Sequence, residues 1–190
     1  MKPAIVLASA SPRRQELLER LGLRFRVHPA DIDESPHAHE TAPQLVERLS
    51  KAKAAAVAVH YPQALVIAAD TVVVSQGDIL TKPRDSQENR RYLERLAGTG
   101  HQVYTGHSLH YQGRQQTQVR CSQVYFRALR PEEIAWYLAT GEGLDKAGGY
   151  AIQGRGAALV EKLEGCYFNV MGMSVAAVMD MSLALGVSLV

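Results

Sequence analysis

Asp70 is the only charge in Leu65-Val66-Ile67-Ala68-Ala69-Asp70-Thr71-Val72-Val73-Val74, a run rich in β-branched residues that reads as a strand buried on both faces. A carboxylate in such surroundings costs several kcal/mol unless an ion pair, hydrogen bonds or a metal compensates it. Carboxylates of this kind cluster at functional sites, where they accept protons or ligate hard cations. The structural alternative is an internal pairing with an arginine or a helix N-terminus. Thr71 beside it offers a hydroxyl contact, or fills the strand as a β-branched residue.

A second set of residues is cationic. Ser11-Pro12-Arg13-Arg14 opens a helix: serine suits the N-cap, proline the first helical position, and Leu17, Leu18 and Leu21 follow at helical spacing. Two arginines are the wrong sign for the positive end of a helix dipole, and a capping box would place Glu or Gln at Arg14. An anion cradled by backbone N–H groups and guanidinium forks resolves the conflict. So would side chains turned to solvent or to an acidic neighbour. Lys53 borders the apolar face of a later helix, four residues from Leu49 and eight from Leu45, and alone it reads as a snorkelling lysine. Lys82 precedes Pro83 in a loop. Together Arg13, Arg14, Lys53 and Lys82 supply four cations, the scale of a nucleoside triphosphate. Glu34, in Asp31-Ile32-Asp33-Glu34-Ser35-Pro36, offers a second carboxylate for a divalent cation such as Mg²⁺, which takes carboxylate, phosphate and water oxygens together.

The glycine-dense segment matches no known phosphate loop. Gly149-Tyr150-Ala151-Ile152-Gln153-Gly154 has P-loop spacing, but Arg155-Gly156 stands where Lys and Ser/Thr are required. Gly154-Arg155-Gly156-Ala157-Ala158-Leu159 lacks the third glycine of a dinucleotide fingerprint. Gln153 carries both a donor and an acceptor, suited to a base edge, with an ordinary glycine-rich connection as the alternative. His37-Ala38-His39 has no third partner at ligand spacing and receives no role.

The elements that must position these groups alternate. Strands are expected over 4–9, 24–28 and 65–74, helices over 12–21 and from Thr41 to about residue 60, where Gln44 completes a capping-box pattern. A helix over 86–97 ends at Gly98 and Gly100; alternating stretches over 101–111 and 118–129 flank Gly113 as a hairpin; Pro131 opens a short helix that stops at Gly141. A strand over 158–163 and a C-terminal helix ending near Gly186 complete the chain. The pattern is α/β, with a mixed twisted sheet, flanking helices, and a smaller lobe at roughly 78–140 within a single domain, 1–190.

Composition narrows the partners. A net charge of +2 and no Lys/Arg block longer than two residues argue against a nucleic-acid coat, so an anionic partner is small. Two cysteines without a Cys-x-x-Cys pair, and no secretory leader, point to a reducing cytoplasm with Cys121 and Cys166 as core residues. No apolar run has the length and continuity of a membrane span.

Leu7-Ala8-Ser9-Ala10-Ser11-Pro12-Arg13-Arg14, Ala69-Asp70-Thr71-Val72, Thr81-Lys82-Pro83-Arg84-Asp85 and Asp145-Lys146-Ala147-Gly148-Gly149-Tyr150-Ala151-Ile152-Gln153-Gly154 together resemble, in order and over essentially the whole chain, the Maf nucleoside triphosphate pyrophosphatases. The resemblance implies two lobes around a central cleft, similar to inosine triphosphate pyrophosphatases, a divalent cofactor (Mg²⁺, with Mn²⁺ as the alternative) and a homodimer. Arg13, Thr71 and Gln153 resemble the branch acting on dTTP and UTP, where the 7-methyl-GTP branch has a bulky aromatic, a Gln and a Glu. Asp70 matches the family's proton acceptor. Ser9, Arg14, Glu34, Lys53 and Lys82 match positions associated with phosphate and metal binding, with Asp31 or Asp33 able to substitute for Glu34. The metal ligands implied are Asp70 and Glu34. Two competing readings stand beside this one: the same chemistry on a modified purine nucleotide, and a non-catalytic nucleotide or nucleic-acid binder in division control.

Overall fold

In the computed structural model, which describes residues 2–189, short apolar runs become strands and amphipathic segments become helices in the order β1 (Ile5–Leu7), α1 (Pro12–Arg20), β2 (Phe25–Val27), α2 (Ala42–Ala58), β3 (Leu65–Ser75), β4 (Asp78–Leu80), α3 (Ser86–Leu96), β5 (Gly100–Tyr111), β6 (Arg114–Phe126), α4 (Pro131–Leu138), β7 (Val160–Glu164), α5 (Tyr167–Met171) and α6 (Val175–Ala184). The seven strands form one mixed sheet in the order β2-β1-β3-β5-β6-β7, with β4 paired to β3, and the class is α/β as the alternation implied. The chain divides into two units. No helix among the described residues is long and apolar enough to cross a membrane.

The first unit comprises Met1–Asp70, Thr105–Arg120 and Gly172–Val190. β1 pairs in parallel with β2 and β3, aligning Ile5 with Phe25 and with Leu65. Side chains alternate along a strand, so Val66 and Ala68 share a face, and they pack with Val6 and Ala8 of the first strand segment on Ala54, Val57 and Ala58 of α2. Gln44 Oε1 accepts the Thr41 N–H at 3.0 Å and starts α2 where the capping pattern places it. A Cβ at Gly106 would stand 2.1 Å from the Val46 carbonyl oxygen, so only glycine lets β5 lie this close to the α2 backbone. The expected C-terminal helix, α6, ends just before Gly186; ahead of it α5 ends at Met171, Gly172 adopts a φ of 115°, and α6 begins only after Ser174. Ser174 Oγ accepts the Ala177 N–H at 3.4 Å, a cap that replaces helix continuity with a turn.

The second unit comprises Thr71–Tyr104 and Cys121–Met171. Its core gathers Val73, Leu93, Leu96, Val103, Val124, Phe126 and Tyr137. Buried His101 meets Phe126 and Tyr150 edge-on, with Nε2 2.7 Å from the Tyr150 hydroxyl. The strand expected over 158–163 starts later, because a 3-10 helix at Gly154–Leu159 takes up the glycine-rich segment and β7 begins at Val160. Neither cysteine is a core residue. Cys121 is exposed and Cys166 half-buried, so the small apolar side chain was a poor guide to burial here.

Two buried histidines predict the acid behaviour of the fold. Burial lowers His101 and His107 to about 4, so between pH 6.5 and 4 the unfolded chain binds protons that the folded chain refuses. Stability therefore falls as pH falls through that window, by about 2 kcal/mol per histidine at pH 5. Glu40, held at about 2 by Arg48, and Glu133, held at about 2 by Arg127 and Arg130, lose their contribution only below the ordinary glutamate range. Urea denaturation at pH 7.5, 5 and 3.5 reads the two stages; a flat response between the first two would show that the histidines titrate normally.

Candidate active site

Asp70 continues the row Val66, Ala68 on the face of β3 that α2 covers, so the next side chain in the row meets α2 one turn before Val57. That position on α2 is Lys53. Its Nζ lies 2.7 Å from Asp70 Oδ1, and the two residues are 8% and 7% exposed. The internal partner of the buried carboxylate is thus a lysine, where the sequence suggested an arginine or a helix N-terminus. Glu34 Oε1 is 3.0 Å from the same Nζ. Two carboxylates from a strand and a loop converge on one cation.

The loop bearing Glu34 is tied to α2. Arg48 donates from Nε and Nη2 to the two Glu40 carboxylate oxygens at 2.6 and 2.8 Å, and from Nη2 to the Ser35 carbonyl at 3.0 Å. Asp33 Oδ1 accepts the Ser35 N–H at 2.9 Å, which tightens the same segment. Arg48 lies five residues before Lys53 on α2, and nothing in its surroundings in the sequence marked it. A bidentate fork to a carboxylate eight residues upstream is visible only in three dimensions.

At the start of α1, Arg14 donates from Nη1 to Ser9 Oγ at 3.0 Å and from Nε to the Gly172 carbonyl at 2.8 Å. Ser9 Oγ also accepts the Ser11 N–H at 3.2 Å, so one buried hydroxyl organises the entry to the helix. Burial draws the Arg14 guanidinium below its ordinary value; Asp70 opposes this, Arg13 adds to it, and Glu34 opposes it again. Arg14 therefore shares an electrostatic neighbourhood with both carboxylates. Arg13 is half-buried at the same helix start.

Thr71, Lys82 and Gln153 belong to the second unit. Thr71 is half-buried on β3, where alternation turns it to the face opposite Asp70. Lys82 is exposed in a loop anchored by buried Pro83 and by the Thr81 carbonyl, which accepts the Gly148 N–H at 3.2 Å. Gln153 is half-buried immediately before the 3-10 helix. Its segment is pinned on both sides: Tyr137 Oη accepts the Ala151 N–H at 3.0 Å, and Glu142 Oε2 accepts the Arg155 and Gly156 N–H groups at 3.1 and 3.4 Å. A Cβ at Gly156 would stand 1.9 Å from the Ala151 carbonyl oxygen. His37 and His39 are exposed.

The family model described as Maf-like protein matches residues 4–184. The chain belongs to the Maf family. A dTTP/UTP pyrophosphatase from Myxococcus xanthus is 52% identical over 170 residues, covering 89% of this Maf chain and 86% of its own. Those from Pelotomaculum thermopropionicum and Syntrophus aciditrophicus are 49% and 48% identical, each over 93% of this chain and over 94% and 87% of their own. A solved structure described as a nucleoside-triphosphatase / dITP/XTP pyrophosphatase from Mycobacterium abscessus covers 96% of this chain and 97% of its own at 13% identity and a TM-score of 0.47, a likeness too slight to carry weight.

The first unit of this Maf protein thus holds a buried carboxylate, an exposed one and a lysine in contact, with Arg14 and Ser9 hydrogen-bonded to each other nearby along the same sheet end. No group of three or more His, Cys, Asp or Glu side chains among the described residues is arranged to hold a metal. The donor set nonetheless fits a hard cation. Asp70 and Glu34 present oxygens to one cation-sized point, now the Lys53 ammonium, and Mg²⁺ is ordinarily held by one or two carboxylates with water and substrate phosphates completing its shell.

Proposed function

We propose that this Maf protein hydrolyses dTTP and UTP between the α- and β-phosphates, releasing the nucleoside monophosphate and pyrophosphate. The observation that carries the reading is the Lys53 ammonium clasped by Asp70 and Glu34, with Arg14 in the same electrostatic neighbourhood. It is supported by relatives near 50% identity that are named dTTP/UTP pyrophosphatases over most of their length. Phosphoryl chemistry needs positioning and charge neutralisation more than covalent help, and cations beside buried acid supply both.

Asp70 is the proton acceptor: it orients the attacking water and takes its proton. Arg13, Arg14, Lys53 and Lys82 bind the triphosphate and stabilise the charge that develops on the leaving pyrophosphate. Ser9 sets the Arg14 fork by accepting its Nη1 donor. A divalent cation, Mg²⁺ or Mn²⁺, would be held by Asp70 and Glu34 and would polarise the phosphate and acidify bound water. Thr71 and Gln153 read the pyrimidine, the pinned backbone at Ala151, Arg155 and Gly156 fixing where the Gln153 amide is offered. The enzyme is expected to act in the cytoplasm, on free nucleotides and as a homodimer.

A panel of canonical and modified nucleoside triphosphates with Mg²⁺, scored for monophosphate plus pyrophosphate, tests the reading. The expected result is preference for dTTP and UTP with pyrophosphate as the second product. Release of orthophosphate, a preference for 7-methyl-GTP, or salt-sensitive oligonucleotide binding without hydrolysis would each reject it.

A further inference from the structure

We infer that His107 is a positioning residue for Arg14, acting through the turn at residues 172–174; the inference rests on the reading of Arg14 as a triphosphate ligand. His107 lies fully buried on β5. Its Nε2 is 2.7 Å from the backbone nitrogen of Ser174. A backbone N–H can only donate, so Nε2 carries the lone pair and the neutral ring holds its proton on Nδ1, which faces the Gln118 carbonyl at 3.3 Å. Burial holds the ring neutral, the Gln118 carbonyl partly opposes this, and the charges of Arg14 on α1 and Arg120 on β6 reinforce it.

The same turn is held at its other end by Arg14, whose Nε donates to the Gly172 carbonyl at 2.8 Å. Gly172 has a φ of 115°, and Ser174 caps α6, so the intervening backbone has little freedom of its own. Gly172 O and Ser9 Oγ are protein acceptors that orient the plane of the Arg14 fork. Of these, the carbonyl sits two residues from the N–H that His107 accepts. Removing the imidazole acceptor strips the buried Ser174 N–H of its ring partner, and a turn that shifts in response carries the Gly172 carbonyl and the guanidinium with it. His107 transfers no proton and touches no substrate. It sets the aim of a residue that does.

His107→Phe keeps the ring bulk without the acceptor, and His107→Gln returns an amide oxygen near the Nε2 position. Binding of an α,β-imido analogue of dUTP by calorimetry and steady-state kinetics on dTTP read the effect. His107→Phe is expected to weaken binding about tenfold and raise KM by a similar factor with kcat changed less than about threefold, while His107→Gln stays within about threefold of the parent. Arg14→Met weakens binding by itself, and adding His107→Phe to it costs nothing further in affinity, whereas a merely structural histidine would give additive losses. If His107→Phe does not fold, the smaller His107→Leu, which also lacks the acceptor, is set against His107→Gln as a test of the same bond: the leucine variant is expected to lose affinity about tenfold and the glutamine variant to keep it. Additive losses, parental affinity in His107→Phe, or equal affinity of His107→Leu and His107→Gln overturns the inference. Undiminished affinity in Arg14→Met overturns instead the triphosphate reading beneath it.

Discussion

Asp70→Asn lowers kcat on dTTP by about 10³-fold and leaves nucleotide affinity within a few-fold of the parent. Asparagine keeps the shape of the side chain and an oxygen to accept from Lys53 Nζ, which lies 2.7 Å from the present carboxylate. What it loses is the capacity to take a proton and the negative charge that would help hold a divalent cation. The cations assigned to the triphosphate remain, so binding survives while the chemical step does not. Single-turnover rates with saturating enzyme, beside equilibrium binding of the α,β-imido analogue, separate the two. A single-turnover rate within tenfold of the parent would remove Asp70 from its role and leave the ion pair as an element of stability alone.

The second large effect is on the fold. Lys53→Met removes the counter-ion of a carboxylate that is 7% exposed, and breaking one half of a buried pair costs about 3–5 kcal/mol because the other half stays charged in apolar surroundings. Against a total stability of about 5–15 kcal/mol, that is a loss visible in any urea curve. Glu34, with a side chain 54% exposed, regains water when Lys53 is lost and adds little to the penalty. The sign of the double variant is the sharper test. Asp70→Asn in the Lys53→Met background removes the stranded charge, so stability is expected to recover by more than half. A double variant that is no more stable than Lys53→Met alone would mean that the lysine acts through packing of its methylene stem rather than through its charge.

The sequence carried the positions of elements better than the partners of side chains, and the difference is physical. Pro12 and Thr41 mark helix starts with local chemistry, a fixed φ and a side-chain acceptor three residues on, and both helices begin within one residue of those signals. Asp70 could be picked out as needing compensation because a lone charge in an apolar run violates burial at any geometry. Its partner could not. Lys53 lies 17 residues away, and its spacing from Leu49 says only that it borders the apolar face of α2. Arg48 and His107 were invisible for the same reason, since Glu40, Ser35 and Ser174 become their partners only after the loop and the turn are folded. The C-terminal helix ends just before Gly186, as its glycine signals, whereas the break at Gly172 that precedes it is not legible, because a single glycine in an apolar stretch is compatible with either a helix or a break.

The chain crosses between its two units at 70/71, 104/105, 120/121 and 171/172, so each unit is drawn from separated stretches of gene. Transplanting Thr71 and Gln153 with the body that holds them therefore takes two inserts, spliced in the middle of β3, β5 and β6. No single crossover hands over the whole second unit without part of the first. On the reading proposed for Thr71 and Gln153, a change of base preference is thereby left to point substitution, because the way the polypeptide is threaded keeps the second unit from moving as one module.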